Sequence, residues 1–197
     1  QGERSAGLAM LREALADTER DHEPYAPVLR VVLVRMLLLH DGPQAALAEL
    51  DRKDSTDAAD LLRARGEALR RLGRLDEADA ALDRARAILD VRDSLLPPQR
   101  ADVFVERSLV ATARGQRSEA IVQARAALAA LGGWGEANDL DRARARAHLA
   151  MVLMDGDPTR QERSEAVALA RRARVAYAAH GPAFAIEQQP LDALLGR

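Results

Sequence analysis

The sequence predicts an all-α protein of antiparallel helical hairpins stacked into an α–α solenoid, and three observations carry that expectation. The first is composition. Of 197 residues, 48% are apolar and only five are aromatic, while long Ala-, Leu- and Arg-rich runs contain neither Pro nor Gly; this is a helical profile. The second is the segment 58–90, AADLLRARGEALRRLGRLDEADAALDRARAILD. Its Gly66, Leu69, Gly73, Ala78, Leu82 and Ala85 put small residues and leucines on the seam of two antiparallel helices, with Gly73 at the turn between them. The third is that this grammar recurs along the chain. One hairpin cannot bury its apolar face alone, so repeated hairpins stack and leave a concave binding surface.

The recurring unit is easiest to follow from the alanine opening each second helix. Arg117-Ser118-Glu119-Ala120 and Arg163-Ser164-Glu165-Ala166 are the same tetrapeptide, followed at four and seven residues by Ala124 and Ala127, then Ala170 and Ala173. Leu75-Asp76-Glu77-Ala78 is the same element one repeat earlier. Weaker copies are Pro43-Gln44-Ala45-Ala46, with Leu50, and Arg4-Ser5-Ala6-Gly7, with Leu11 and Ala14. Anchors at Gly7, Ala46, Ala78, Ala120 and Ala166 lie 39, 32, 42 and 46 residues apart, so helix length varies. Helices are expected at 3–20, 24–40, 43–52, 57–72, 75–92, 99–114, 117–131, 137–155 and 161–180, with a terminal segment at 183–195. Asp76, Ser118 and Ser164 are expected N-caps, because their side-chain oxygens can accept from free N–H groups of a first helical turn. Within 28–39, VLRVVLVRMLLL is rich in β-branched residues, so strand competes there; its place before the Gly42-Pro43 turn favours helix. Short polar, Gly or Pro breaks at 51–57, 95–98, 131–135 and 155–161 join the helices. The expected organisation is a single repeat domain over 1–197: a half repeat at 1–20, hairpins at 24–52, 57–92, 99–131 and 137–180, and a terminal cap at 183–197.

Several function classes are disfavoured by composition. Twenty-nine basic and 31 acidic residues are interspersed for a net charge of −2, giving no overall drive toward nucleic acid or a membrane surface. Cysteine is absent, which removes disulfides, thiolate nucleophiles and thiolate metal sites and favours the cytosol. The longest apolar run, 31–39, is cut by Arg35 and falls short of the roughly 20 residues of a membrane span. One lysine stands against 28 arginines, which fits a GC-rich coding sequence better than a demand for arginine chemistry.

With these residues in view, a family emerges. The window 59–90 resembles the tetratricopeptide repeat (TPR) through Leu62, Gly66, Leu69, Ala78, Leu82 and Ala85, with Asp90 replacing the helix-ending proline. The window 101–131 resembles it through Phe104, Ser108, Ala111, Gly115, Ala120, Ala124 and Ala127. A last copy, 143–177, matches at Ala150, Leu153, Ala166, Ala170 and Ala173 but carries an insertion at 155–161. The resemblance implies a right-handed superhelix. Periods near 42, and the ending ARRARVAYAAHGPAFAIEQQPLDALLGR, resemble the C-terminal TPR regions of bacterial serine/threonine protein kinases and related signalling proteins. The chain carries no kinase signature of its own. Residues 2–14 fit the second half of a repeat whose first helix would precede Gln1, so excision from a longer chain is expected, with an ordinary N-terminal cap as the alternative.

Candidate sites are few. His22, His40, His148 and His180 lack the three- or four-residue spacing of a helical metal site. Asp155-Gly156-Asp157 lacks the fifth-position acceptor and sixth-position glycine of a calcium loop, having Thr159 and Arg160 there. Gly132-Gly133-Trp134-Gly135 is too short for a dinucleotide loop; its glycines end a helix, and Trp134 either packs on the next repeat or anchors a partner. No serine–histidine–carboxylate set stands out, so no catalytic, cofactor or metal residue is assigned. The resemblance places Arg35, Arg63, Glu67, Arg70, Arg71 and Arg144 on the concave groove, against the plainer alternative of a salt-laced solvent face. The family's carboxylate clamp of lysines and asparagines does not transfer, since Lys53 lies outside a first helix and Asn138 is the only asparagine. Arginine forks could instead grip an acidic segment while Met151 and Met154 offer adaptable apolar contact.

The function expected is a non-enzymatic, cytoplasmic protein-interaction or regulatory scaffold of a larger bacterial signalling protein, presenting the groove to a peptide, a protein partner or a domain of its parent. Neither specific nucleic-acid nor membrane binding is expected. The alternative is the helical effector-sensing region of a bacterial transcription regulator.

Overall fold

The computed structural model of the chain describes residues 2–21, 25–52, 58–91, 97–132 and 139–196. Among them are ten α-helices and no strand: α1 Gly2–Arg20, α2 Ala26–His40, α3 Pro43–Leu50, α4 Ala59–Arg71, α5 Leu75–Val91, α6 Pro97–Ala113, α7 Arg117–Ala130, α8 Asp139–Met154, α9 Arg160–Ala179 and α10 Ala185–Leu195, the last preceded by a 3-10 turn at Pro182–Phe184. They form two compact units, one ending at Val91 and one starting at Arg92. The all-α, hairpin-built fold class expected from the sequence is the one observed.

In the first unit α1 lies on α2, both α2 and α3 reach α4, and α4 pairs with α5. The β-branched run of α2 is helical because its apolar residues satisfy the 3.6-residue period: Arg30, Leu33, Val34, Leu37 and Leu38 form its buried face. Arg30, only 4% exposed, does not stand alone there, since it pairs with Glu19 of α1. The α4–α5 seam is tight at Gly66, where an added Cβ would lie 2.7 Å from the Leu82 Cγ; a side chain has no room between these backbones.

The second unit pairs α6 with α7 and α8 with α9, and α10 closes the end of α9. Its core is dominated by small side chains: Ala150, Ala166, Ala170 and Ala173 have no exposed surface, which brings α8 and α9 together over several turns. Tyr177 and Phe184 stack with ring centroids 5.9 Å apart, and His180 meets Phe184 edge-on at the same distance. This aromatic group holds the 3-10 turn against α9.

Two hairpin turns are built alike. After α4, the Gly73 N–H bonds to the Arg70 carbonyl and the Arg74 N–H to the Leu69 carbonyl; after α6, Gly115 and Gln116 do the same to Thr112 and Ala111. Gly73 and Gly115 have φ of +74° and +71°, the left-handed cap that ends a helix with its last carbonyls satisfied. The expected N-caps are corrected. Helix α5 already includes Asp76, Gln116 precedes α7, and Thr159 precedes α9. Asp76 and Ser118 therefore sit inside the first turn of their helices, and Ser164 in the second turn of α9. At α9 a capping box explains the earlier start: Thr159 Oγ1 accepts from the Glu162 N–H at 3.2 Å, and Glu162 accepts from the Thr159 N–H at 2.7 Å.

Candidate functional site

The expected groove residues fall on three helices in two places. In the first unit, Arg63, Glu67 and Arg71 form one network on α4. Arg63 is 9% exposed and lies 3.6 Å from Glu67, which also receives the Arg71 guanidinium at 2.5 Å. Arg71 reaches farther, donating to the Leu38 carbonyl at 3.0 Å and so crossing to the last turn of α2. Arg70 is half-buried beside them. Arg35 differs: it is exposed on α2, with no carboxylate of the described residues at ion-pair distance.

Around Arg35 lies a feature that sequence reasoning missed. Val28, Val32 and Leu39 are 62%, 43% and 69% exposed. With Arg35 they follow spacings of four, three and four, a continuous stripe on the face opposite Leu33 and Leu37. The signal was present, since a helix with apolar residues on both faces buries only one of them.

In the second unit, Met151 and Met154 wall a cavity of about 440 Å³ between α6, α8 and α10, which Leu109 and Thr112 line from α6 and Leu194 from α10. The contribution of α10 was not foreseen, because nothing in the sequence fixes where a terminal cap folds back. Arg144 does not line this cavity; it is exposed and pairs with Asp141 at 3.5 Å. Trp134 and its flanking glycines at 133 and 135 lie outside the described residues, as do His22, Lys53 and Asn138.

The strongest electrostatic perturbations are structural in kind. Hydrogen bonds from Arg117, then from the Thr159 backbone and side chain, hold the Glu162 carboxyl down at about 2. Burial pushes the Tyr177 phenol up to about 12. Arg117 donates through one nitrogen to Glu162 at 3.0 Å and through the others to the carbonyls of Asp155 at 2.8 Å and Leu153 at 3.1 Å. Among the described residues no three His, Asp or Glu side chains gather closely enough to hold a metal ion, and no helix is long and apolar enough to cross a membrane.

The helical pairs and their glycine and alanine seams define a helical-repeat fold of the TPR type, and solved structures agree. The chain is similar to MamA, at 19% identity over 89% of each chain with a TM-score of 0.56. It is also similar to the nearly identical TPR-like repeats of a Podosopora anserina kinesin light chain, at 18% identity over 91% of this chain and 90% of that one, TM-score 0.59. A variant of those repeats superposes with a TM-score of 0.62 over 91% of this chain and 89% of its own. No protein-family profile matches the chain, and no curated protein does.

Proposed function

We propose that this chain is a non-enzymatic protein-interaction or regulatory scaffold, one repeat domain over 1–197, within a larger cytoplasmic bacterial signalling protein. Its partner is a peptide, a separate protein or a neighbouring domain of the parent, taken up in a concave groove along α2 and α4. The observation that carries this reading is the α2 stripe, where Val28, Val32 and Leu39 leave apolar area in water around the exposed Arg35. Such a patch on a rigid helix favours a partner that covers it. Rigid stacked helices also lose little entropy when a partner docks. The fold supports the reading by holding helix faces in fixed order.

A photo-crosslinker at position 35, used in cells expressing the full-length parent, tests it. Capture of one partner that disappears with Val32→Asp and Arg35→Glu, in protein that keeps its helical circular dichroism, is the expected result. Equal capture by the double variant, or none by the unsubstituted chain, overturns it. A kinase-type domain encoded alongside supports the signalling parent; a helix-turn-helix supports a transcription regulator.

A further inference from the structure

We propose that the cavity of the second unit is a binding site for a small aliphatic amine, an unbranched apolar chain ending in an ammonium group. Its volume of about 440 Å³ falls in the range of about 300–1,000 Å³ typical of small-molecule sites. The walls select an apolar body. Leu109, Met151, Met154 and Leu194 line it, and unbranched methionines adapt to a flexible chain better than to a fixed ring.

The head group follows from what the polar lining can offer. Thr112 Oγ1 spends its proton on the Ser108 carbonyl at 3.0 Å, so toward a ligand it presents lone pairs only. Asp155, an exposed acidic residue, and His148 are the titratable residues of the wall. The chain has 28 arginines, and none among the described residues lines this cavity. Arg117 approaches the Asp155 backbone, yet its guanidinium is committed to the carbonyls of Leu153 and Asp155 and to Glu162. Thr112 thus offers an acceptor and Asp155 an acidic group, a pair that matches an ammonium better than a carboxylate, with the His148 imidazole beside them. This ligand is separate from the partner proposed for α2 and α4, so the two readings fail independently.

The test titrates the full chain at neutral pH with n-octylamine, n-octanol and n-octanoate, following the methyl resonances of the four methionines. Octylammonium is expected to bind and to shift Met151 and Met154 while leaving Met10 and Met36 in place. Octanoate is expected to bind at least about tenfold more weakly. Asp155→Asn should weaken octylammonium by about two- to fivefold, the scale of an exposed ion pair, and leave octanol unchanged. The exposed Ala193, also in the wall, allows Ala193→Phe to fill the cavity from its rim and abolish binding of all three. No binding at millimolar amine overturns the proposal. So do octanoate binding as well as the amine, shifts at Met10 or Met36 instead, or indifference to Asp155→Asn.

Discussion

Ser108 Oγ donates to the backbone carbonyl of Ala120 at 2.8 Å, from a side chain with no exposed surface, and so ties α6 to α7 at the point where α4 and α5 rely on a glycine. Gly66 occupies the matching place, and a Cβ there would stand 3.4 Å from the carbonyl oxygen of Ala78, the counterpart of Ala120. One seam is closed by removing a side chain, the other by hydrogen-bonding through one.

Gly66→Ala therefore sets two effects against each other. Helix propensity favours alanine by about 1 kcal/mol, but the new methyl meets a Leu82 side chain that has no exposed surface to move into. Overpacking of that kind costs about 1–3 kcal/mol. A net loss of stability is expected in urea unfolding, and a more stable variant would refute the tight seam. Ser108→Ala should lose about 1 kcal/mol.

Arg117→Lys keeps the charge and loses the fork. An ammonium cannot reach the carbonyls of Leu153 and Asp155 together with Glu162 in the same planar geometry. The expected cost is about 1–2 kcal/mol, with faster amide hydrogen exchange in the first turn of α9. Unchanged exchange there would show that the clamp is not what orders the α8–α9 connection.

Acid should loosen the same corner. The Glu162 carboxyl lies near 2 in the folded chain against an ordinary 4.5, so its stabilisation is complete above about 4.5 and drains away as pH falls toward 2. Glu162→Gln has no such proton to take up. The difference in melting temperature between the two proteins should shrink across that window; a constant difference would contradict the assignment.

Alkali acts at the other end of α9. Tyr177 has its phenol raised from 10 to about 12 by burial. Stability is unaffected below about 10 and falls as pH climbs from there toward 12, because the unfolded chain gives up the proton first. Ultraviolet titration of a Tyr25→Phe variant, which isolates Tyr177, should show a midpoint near 12 that drops on unfolding.

The fold was legible because hairpin seams are written in small residues: Gly66, Ala78, Ala120, Ala150 and Ala166 lie where two helices meet, and each is buried. Turn glycines at 73 and 115 were equally readable. The N-caps were misplaced, although the helix starts were not, because Ser118 and Ser164 are good caps in isolation, and only the neighbouring backbone decides which residue precedes the first turn. At the site, sequence could put Met151 and Met154 on one helix face but could not bring Leu194 against them from 40 residues away. Nor could it separate Arg35, left exposed, from Arg63, which its own helix partner neutralises.

Several arginines are used on main-chain oxygens: Arg71 on Leu38, Arg117 on Leu153 and Asp155, and Arg142 on Leu131 at 3.1 Å. A carbonyl is offered by every residue type, so these joints are blind to the side chain at the position they grip. Mutational drift at the helix ends and connections that carry them can then proceed without losing the acceptor that fastens one helix to the next. The uneven repeat lengths are what such tolerance would leave behind, and the same carbonyls mark where hairpins from other arrays could be spliced in with their register kept.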